Sequence, residues 1–314
     1  MRALALATAL AATLHVPHGY RAGIFARGLV HPTALAWGPD RRLYVTEDVG
    51  RVVSVVRGSR QPRPAVAGLP TPLGLVWVGR RLYVSAQGRL VQVRPRYRVV
   101  VRGLPFKLHQ QDNVVYLHGR LYFGTGSTCD ACRERDPRSA AILSVRTNGS
   151  GLRVVARGLR NPFGLAVDGR GRLYASINNR DRLGPHEPAD EIVRVRDGAF
   201  YGWPDCWPSW RLRRLVGGCR GVTPPIAYLE PHSSADGMAF WHHRLFVAEW
   251  GQYYAHVAGR RIVELVPHGR TWRHRVFAYG TPHPLALVRD RSGDALLVAD
   301  WQQGVIYRIV AAAR

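Results

Sequence analysis

Along the chain, apolar residues come in runs of four to eight, many alternating with polar ones, and Gly, Pro, Asp and Asn gather between the runs. A period of two, in segments rich in Val, Ile, Tyr, Phe and Trp, predicts short antiparallel strands joined by tight turns. No stretch keeps the 3.6-residue period of an amphipathic helix, so no long helix is predicted.

One dipeptide recurs through this pattern. A Leu-aromatic step, usually after Gly-Arg or Arg-Arg, stands at Leu43-Tyr44, Leu82-Tyr83, Leu121-Tyr122, Leu173-Tyr174 and Leu245-Phe246, and Leu296-Leu297 continues the series. The Leu-to-Leu spacings are 39, 39, 52, 72 and 51 residues. Each step follows a short apolar run (TALAW, LGLVW, NVVYL, FGLAV, GMAFW, PLALV) and leads into a second strand and a turn. Several units open with Gly-Leu, as at Gly28-Leu29, Gly68-Leu69, Gly103-Leu104 and Gly158-Leu159. Repeats of about forty residues, four short strands each, are the mark of propeller blades. The fold predicted is all-β: a six-bladed β-propeller with four-stranded antiparallel blades, one domain over residues 15–314. The wide spacings put the large loops in blades three, four and five. A site is expected there, because the loops of one propeller face gather around the axis.

Composition narrows the picture. With 314 residues, 46% of them hydrophobic, the chain buries a core, and disorder, collagen and coiled coil are excluded as global descriptions. The formal net charge of +24 is almost wholly arginine, Lys107 being the one lysine. These cations are scattered instead of forming a stripe, so no nucleic-acid partner is expected. Met1-Arg2 followed by ALALATALAATL has the charged start and short apolar core of a secretory signal, so residues 1–14 are read as a signal peptide and the protein as secreted or periplasmic. That apolar stretch falls short of the roughly 20 residues a spanning helix needs, and no later stretch qualifies, so no membrane span is expected. The cysteines form two local pairs, Cys129/Cys132 and Cys206/Cys219. Zinc sites favour two close pairs, and a redox C-x-x-C opens a helix, whereas Cys129-Asp130-Ala131-Cys132 lies in a Gly/Thr/Ser loop. Two structural disulfides are predicted, as suits an exported chain.

Two segments carry candidate chemistry. Leu108-His109-Gln110-Gln111-Asp112-Asn113 sets a histidine just before the core strand of blade three, and Gly158-Leu159-Arg160-Asn161-Pro162-Phe163-Gly164 sets Arg160 and Asn161 at the matching point of blade four. Innermost strands line the axial channel, so both groups are expected at one cavity. On residue type alone, His109 is equally a loop histidine bonded to a carbonyl, and Arg160 equally an inter-blade ion pair.

The run GLRNPFGLAV…GRLYASINNRDRLG…ADEIVRV…GAFYGWPDC resembles the glucose/sorbosone dehydrogenase family, in particular its sorbosone-dehydrogenase-type branch. GTGSTCDACRERDPRSAAILSV is similar to that branch's paired-cysteine segment, and HPLALV…GDALLVADWQQGVIYRIV to its closing blade. The likeness runs from about Val16 to Val310. It implies a propeller that binds pyrroloquinoline quinone (PQQ) and Ca²⁺ and oxidises a sugar or other small aldehyde or alcohol, passing electrons to an acceptor the sequence does not identify. By that resemblance His109 matches the catalytic base, and Arg160 and Asn161 match the Arg-Asn pair that contacts the cofactor. Glu191 and Tyr201 match a structural calcium site, and the loop about Asn178, Asn179 and Asp181 matches the active-site calcium segment. The chemistry suits these residue types: neutral imidazole removes a hydroxyl proton near pH 7, and the quinone supplies an electron sink no side chain offers. Calcium polarises a quinone oxygen and a guanidinium pairs with a cofactor carboxylate.

One departure stands out. Where the family carries a basic cofactor contact in blade five, this chain reads Val247-Ala248-Glu249-Trp250-Gly251-Gln252-Tyr253-Tyr254, with no Lys or Arg before Arg260-Arg261. Pro231-His232-Ser233-Ser234 remains, with His232 expected to face the channel as a cofactor contact. Two other readings therefore stand: a propeller without catalysis that lost its cofactor, and a calcium-dependent hydrolase of lactonase type. The latter needs carboxylates converging on an axial metal, and only Glu47, Asp48, Glu249 and Asp300 follow core strands in the sequence pattern.

Overall fold

The computed structural model describes residues 13–252, 258–269 and 271–312. The segment expected as a signal peptide lies outside the described residues up to position 12; Leu14, at its expected end, is buried between blades five and six.

The chain opens with β1 (Tyr20–Ala26). Blade one is β2 (Pro32–Trp37), β3 (Leu43–Glu47), β4 (Arg51–Val55) and β5 (Arg63–Ala67); blade two is β6 (Gly74–Val78), β7 (Arg81–Ala86), β8 (Arg89–Arg94) and β9 (Arg98–Arg102). Blade three is β10 (Gln111–Leu117), β11 (Arg120–Thr125), β12 (Ala141–Arg146) and β13 (Arg153–Arg157). Blade four is β14 (Pro162–Val167), β15 (Leu173–Ile177), β16 (Asp190–Arg194) and β19 (Ala227–Leu229), with the hairpin β17 (Cys206–Ser209) and β18 (Arg214–Gly217) inserted before its last strand. Blade five is β20 (Ala235–Trp241), β21 (Arg244–Glu249), β22 (Arg261–His268) and β23 (Thr271–Tyr279). Blade six is β24 (Pro284–Arg289), β25 (Ala295–Asp300) and β26 (Val305–Ala311), and β1 pairs antiparallel with β26 as its outermost strand. The two ends of the chain thus close the ring in one sheet. The expected six antiparallel blades are present, and no described helix is long and apolar enough to cross a membrane.

The Leu-aromatic step explains the packing. Side chains on a strand alternate between faces, so neighbouring residues serve opposite sides of a blade. Leu43 packs in the cluster between blades six and one, and Tyr44 in the cluster between one and two. Leu82 and Tyr83 repeat this one interface further on, and Leu173 and Tyr174 do so in blade four. Each of the six hydrophobic clusters lies between two adjacent blades. Burying one Leu contributes about 1.5–3 kcal/mol, so an open ring would lose a whole interface of such terms.

The inner strands approach closely. A Cβ on Gly164 would sit 2.0 Å from the Asp236 carbonyl oxygen, and one on Gly237 2.3 Å from that of Leu285. Hydroxyls bond across the same seams: Ser176 Oγ donates to the Asp236 carbonyl at 2.7 Å, and Ser85 Oγ to that of Asp112. Five inner strands break register with their neighbours near their first residues, at Pro32/Ala34, Gln111/Val114, Pro162/Leu165, Ala235/Met238 and Pro284/Ala286. Such bulges re-aim side chains. Here they mark the mouth of the axial cavity.

Candidate functional site

A cavity of about 790 Å³ opens at this end of the axis, and every blade contributes to its lining. The bulged positions Thr33, Phe163, Asp236 and Leu285 face it, as do His109, Arg160, Asn161, Asn178, Asn179 and His232 of the expected site. Glu191 and Tyr201 do not. Glu191 is buried on β16 with its carboxylate 3.4 Å from Asn179 Nδ2, and the Tyr201 hydroxyl donates to the Arg194 carbonyl at 2.6 Å. The neighbour of Glu191, Asp190, lines the cavity instead.

The inserts of blades three and four build one wall. Both expected disulfides are formed: Cys129–Cys132 closes a turn in the β11–β12 connection, and Cys206–Cys219 ties the base of the β17–β18 hairpin. Arg160, almost wholly buried, spans the two inserts. Its Nη2 bonds Asp130 at 2.9 Å and Asp181 at 2.7 Å, its Nε reaches the Asp130 carbonyl and its Nη1 the Asn178 carbonyl, each at 3.3 Å. The guanidinium is therefore both a cavity group and an ion pair between blades, with one N–H of Nη1 left for a guest. Burial pulls the Asp130 carboxyl up, but the Asp181 N–H and Arg160 outweigh it and hold it below the usual range.

His109 and Asn161 meet across Gly126. A Cβ there would lie 2.3 Å from His109 Cβ and 2.6 Å from Asn161 Oδ1, so only glycine fits. Desolvation and then the charge of Arg160 press the His109 pKa down to about 3, so its ring is neutral near pH 7. His232 bonds the Gly184 carbonyl through Nε2 at 2.9 Å and tethers the blade-four insert.

Of the four carboxylates expected after core strands, Asp48 lines the cavity and the other three do not. Glu47 and Glu249 do end second strands, but they are buried against Arg51 and Arg261, and Asp300 bonds the Thr281 hydroxyl and the His283 N–H. Asp48, Asp181, Asp190 and Asp236 line the cavity, while Asp112, buried at the bulge of β10, lies near enough to Asp236 to feel its charge. Asn178 Nδ2 donates to Asp236 at 2.9 Å, while the Asn179 and Ser234 N–H groups donate to Asp190 at 2.9 and 2.8 Å. Burial lifts the Asp190 carboxyl to about 6; burial and the neighbouring carboxyl lift Asp112 and Asp236 well above the usual range. Asn161 Oδ1, Asn178 Oδ1 and Asp112 Oδ2 are buried with no hydrogen-bond partner. Asn161 and Asn178 line the cavity, so two orphaned amide oxygens join the Asp190 and Asp236 carboxyls as oxygen donors of the kind a hard divalent cation takes.

Among the described residues, blade five puts no arginine in the cavity lining, but Arg260 stands beside two residues that are there. Arg260 packs on Gly251 and reaches the Gln252 carbonyl at 3.5 Å, with its Nε buried and unpartnered among the described residues. Gly251 and Gln252 line the cavity. The linear distance from Trp250 concealed this approach.

No protein-family model matches the chain, and no curated protein matches it in sequence. Solved structures do match in shape. The chain superposes on the PQQ domain of a pyranose dehydrogenase from Coprinopsis cinerea, in its holo form, with a TM-score of 0.83 at 17% identity, covering 95% of this chain and 97% of that one. It matches the PQQ-bound aldose sugar dehydrogenase of Streptomyces coelicolor at 0.75 and 20% identity, over 94% and 99%. A gluconolactonase from Xanthomonas campestris matches at 0.59 and 13% identity, over 96% and 95%. At such identities the likeness establishes the fold, and the function rests on the site.

Proposed function

We propose that this chain is a calcium- and PQQ-dependent dehydrogenase of a sugar or other small aldehyde or alcohol. The observation that carries the reading is a neutral histidine beside an Arg-Asn pair, in a cavity whose orphaned acceptors call for a cation. The similarity in shape to the pyranose and aldose sugar dehydrogenases supports it.

In this reading His109 takes the hydroxyl proton of the substrate while hydride leaves the same carbon. Its low pKa, set by burial first and by the Arg160 charge second, keeps the acceptor nitrogen free of a proton, and a carboxylate guest on Arg160 would relieve only the second of these. Arg160 and Asn161 orient the guest with the remaining guanidinium N–H and the amide, and His232 holds the wall behind them. Asn178, Asp190 and Asp236 would hold the Ca²⁺, with Asn179 fixing Asp190 through its backbone N–H. The quinone, when bound, supplies the two-electron sink. A second, structural cation remains proposed at Glu191 and Tyr201, supported by the burial that lifts Glu191 to about 8 in the absence of a counter-charge. The two disulfides support an exported protein.

Titration of the apo-protein with PQQ and Ca²⁺, followed by cofactor absorbance and by aldose-dependent dye reduction, tests this. Saturable binding and turnover are expected; no saturable binding at any calcium level overturns the proposal. The Asp48, Asp190 and Asp236 carboxylates in the cavity lining favour a lactonase as the second reading, and calcium-dependent lactone hydrolysis without quinone would decide for it.

A further inference from the structure

The ring of His109 is held by the β11–β12 insert instead of by its own strand. Its Nδ1 stands 3.1 Å from Ser127 Oγ and 3.3 Å from the Ser127 carbonyl oxygen. A carbonyl oxygen only accepts. The hydroxyl directs its own proton to the Cys129 carbonyl, 2.7 Å away, so toward the imidazole Oγ accepts as well. Both contacts place a proton on Nδ1. The lone pair is then on Nε2, on the ring edge turned away from Ser127.

Ser127 is itself fixed. It is wholly buried, its N–H donates to the Arg160 carbonyl at 2.7 Å, and its carbonyl accepts the His109 N–H at 3.1 Å. The carbonyl that receives its hydroxyl proton belongs to Cys129, inside the turn closed by Cys129–Cys132. Asp130 in the same turn binds Arg160 and accepts from Trp203 Nε1 at 3.0 Å. One short disulfide-closed turn thus holds the supports of both candidate groups.

We propose that Ser127 is a positioning residue that, anchored by the Cys129–Cys132 turn, sets His109 in its Nδ1–H tautomer and leaves Nε2 as the acceptor facing the cavity. A histidine in the other tautomer would present an N–H where a base is needed, as in sites where a third group orients the base. The catalytic meaning rests on the dehydrogenase reading. The tautomer itself does not.

The test is long-range ¹H–¹⁵N NMR of the histidine rings at pH 7 in protein holding neither quinone nor calcium, with His109→Gln identifying the His109 signals. Expected are a protonated Nδ1 and a bare Nε2 in the parent, and in Ser127→Ala a mixture shifted toward Nε2–H with the near-UV circular dichroism retained. A parent spectrum with Nε2–H or a charged ring overturns the proposal, as does a folded Ser127→Ala variant with its tautomer unchanged. Should that variant fail to fold, a Cys129→Ser/Cys132→Ser double variant gives the second measurement, with a loosened tautomer expected and an unchanged one overturning the anchoring role. In quinone-loaded protein Ser127→Ala should lower kcat more than it alters KM, within the roughly 10²–10⁴-fold worth of a general base. If the tautomer stands and the quinone never binds, only the dehydrogenase reading falls.

Discussion

Blades two and four share one framework and differ in what joins its strands. Blade two runs from β7 to β8 through Gln87 and Gly88 alone, its inner strand keeps register from Gly74 opposite Ser85, and its approach to β6 gives the cavity only Thr71 and Leu73. Blade four bulges at Phe163, carries twelve residues between β15 and β16, and adds a disulfide-tied hairpin. It gives the cavity Arg160, Asn161, Asn178 and Asp190. The apolar packing hardly differs, with Leu82 and Leu173 both buried. The polar lining of the cavity is a property of the connections, carried on blades that share the same strand framework.

The largest effect should come from the insert-rich side. His109→Ala in quinone-loaded protein should cut kcat about 10²–10⁴-fold with little change in melting temperature. The matched change in blade two, Gln87→Ala, should leave both within error. Comparable losses in steady-state assays of the two variants would erase the contrast.

Calcium comes next. Saturating Ca²⁺ at a hundredfold excess over its Kd should stabilise the protein by about 2.7 kcal/mol, read as a rise in melting temperature that chelation reverses. Asp236→Asn should remove most of that rise. A melting curve indifferent to chelator in the parent would refute the cation site.

Gly126→Ala should follow, since the added methyl meets both His109 and Asn161. Overpacking of this kind typically costs about 1–3 kcal/mol. Thermal unfolding and PQQ titration together should show a modest loss of stability and a larger loss of cofactor affinity.

A last effect is a slope with pH. Glu191 holds its proton up to about 8 when folded, against an ordinary 4.5. Between those values the native protein binds a proton that the unfolded chain has released, so this group's contribution to stability is lost as pH rises through the window. His109 acts oppositely: the unfolded chain takes a proton below about 6.5 that the folded ring refuses until about 3, so stability falls as pH falls. Melting temperatures at pH 5 and 8 in chelator should show Glu191→Gln flattening only the alkaline limb.

The sequence alone determined the ring. A Leu-aromatic step is legible because neighbouring strand residues must feed opposite faces, and six such steps demand six shared interfaces. Cys129/Cys132 and Cys206/Cys219 were readable for a similar reason, each pair being close along the chain. His109, Arg160 and Asn161 could be singled out because they precede inner strands, and those strands point at the axis wherever the ring closes.

Only the tertiary structure decided which atoms meet inside it. Asp112 and Asp236 lie 124 positions apart yet share one buried axis. Arg260 returns to Gly251, and Asp190 lines the cavity while its neighbour Glu191 does not. A bulge shifts a strand by one residue and so exchanges its two faces, and no alternation of apolar and polar residues records that shift. The partners of Ser127 were equally hidden, because a serine's role is set by which carbonyl receives its proton, and that carbonyl is placed by the folded turn.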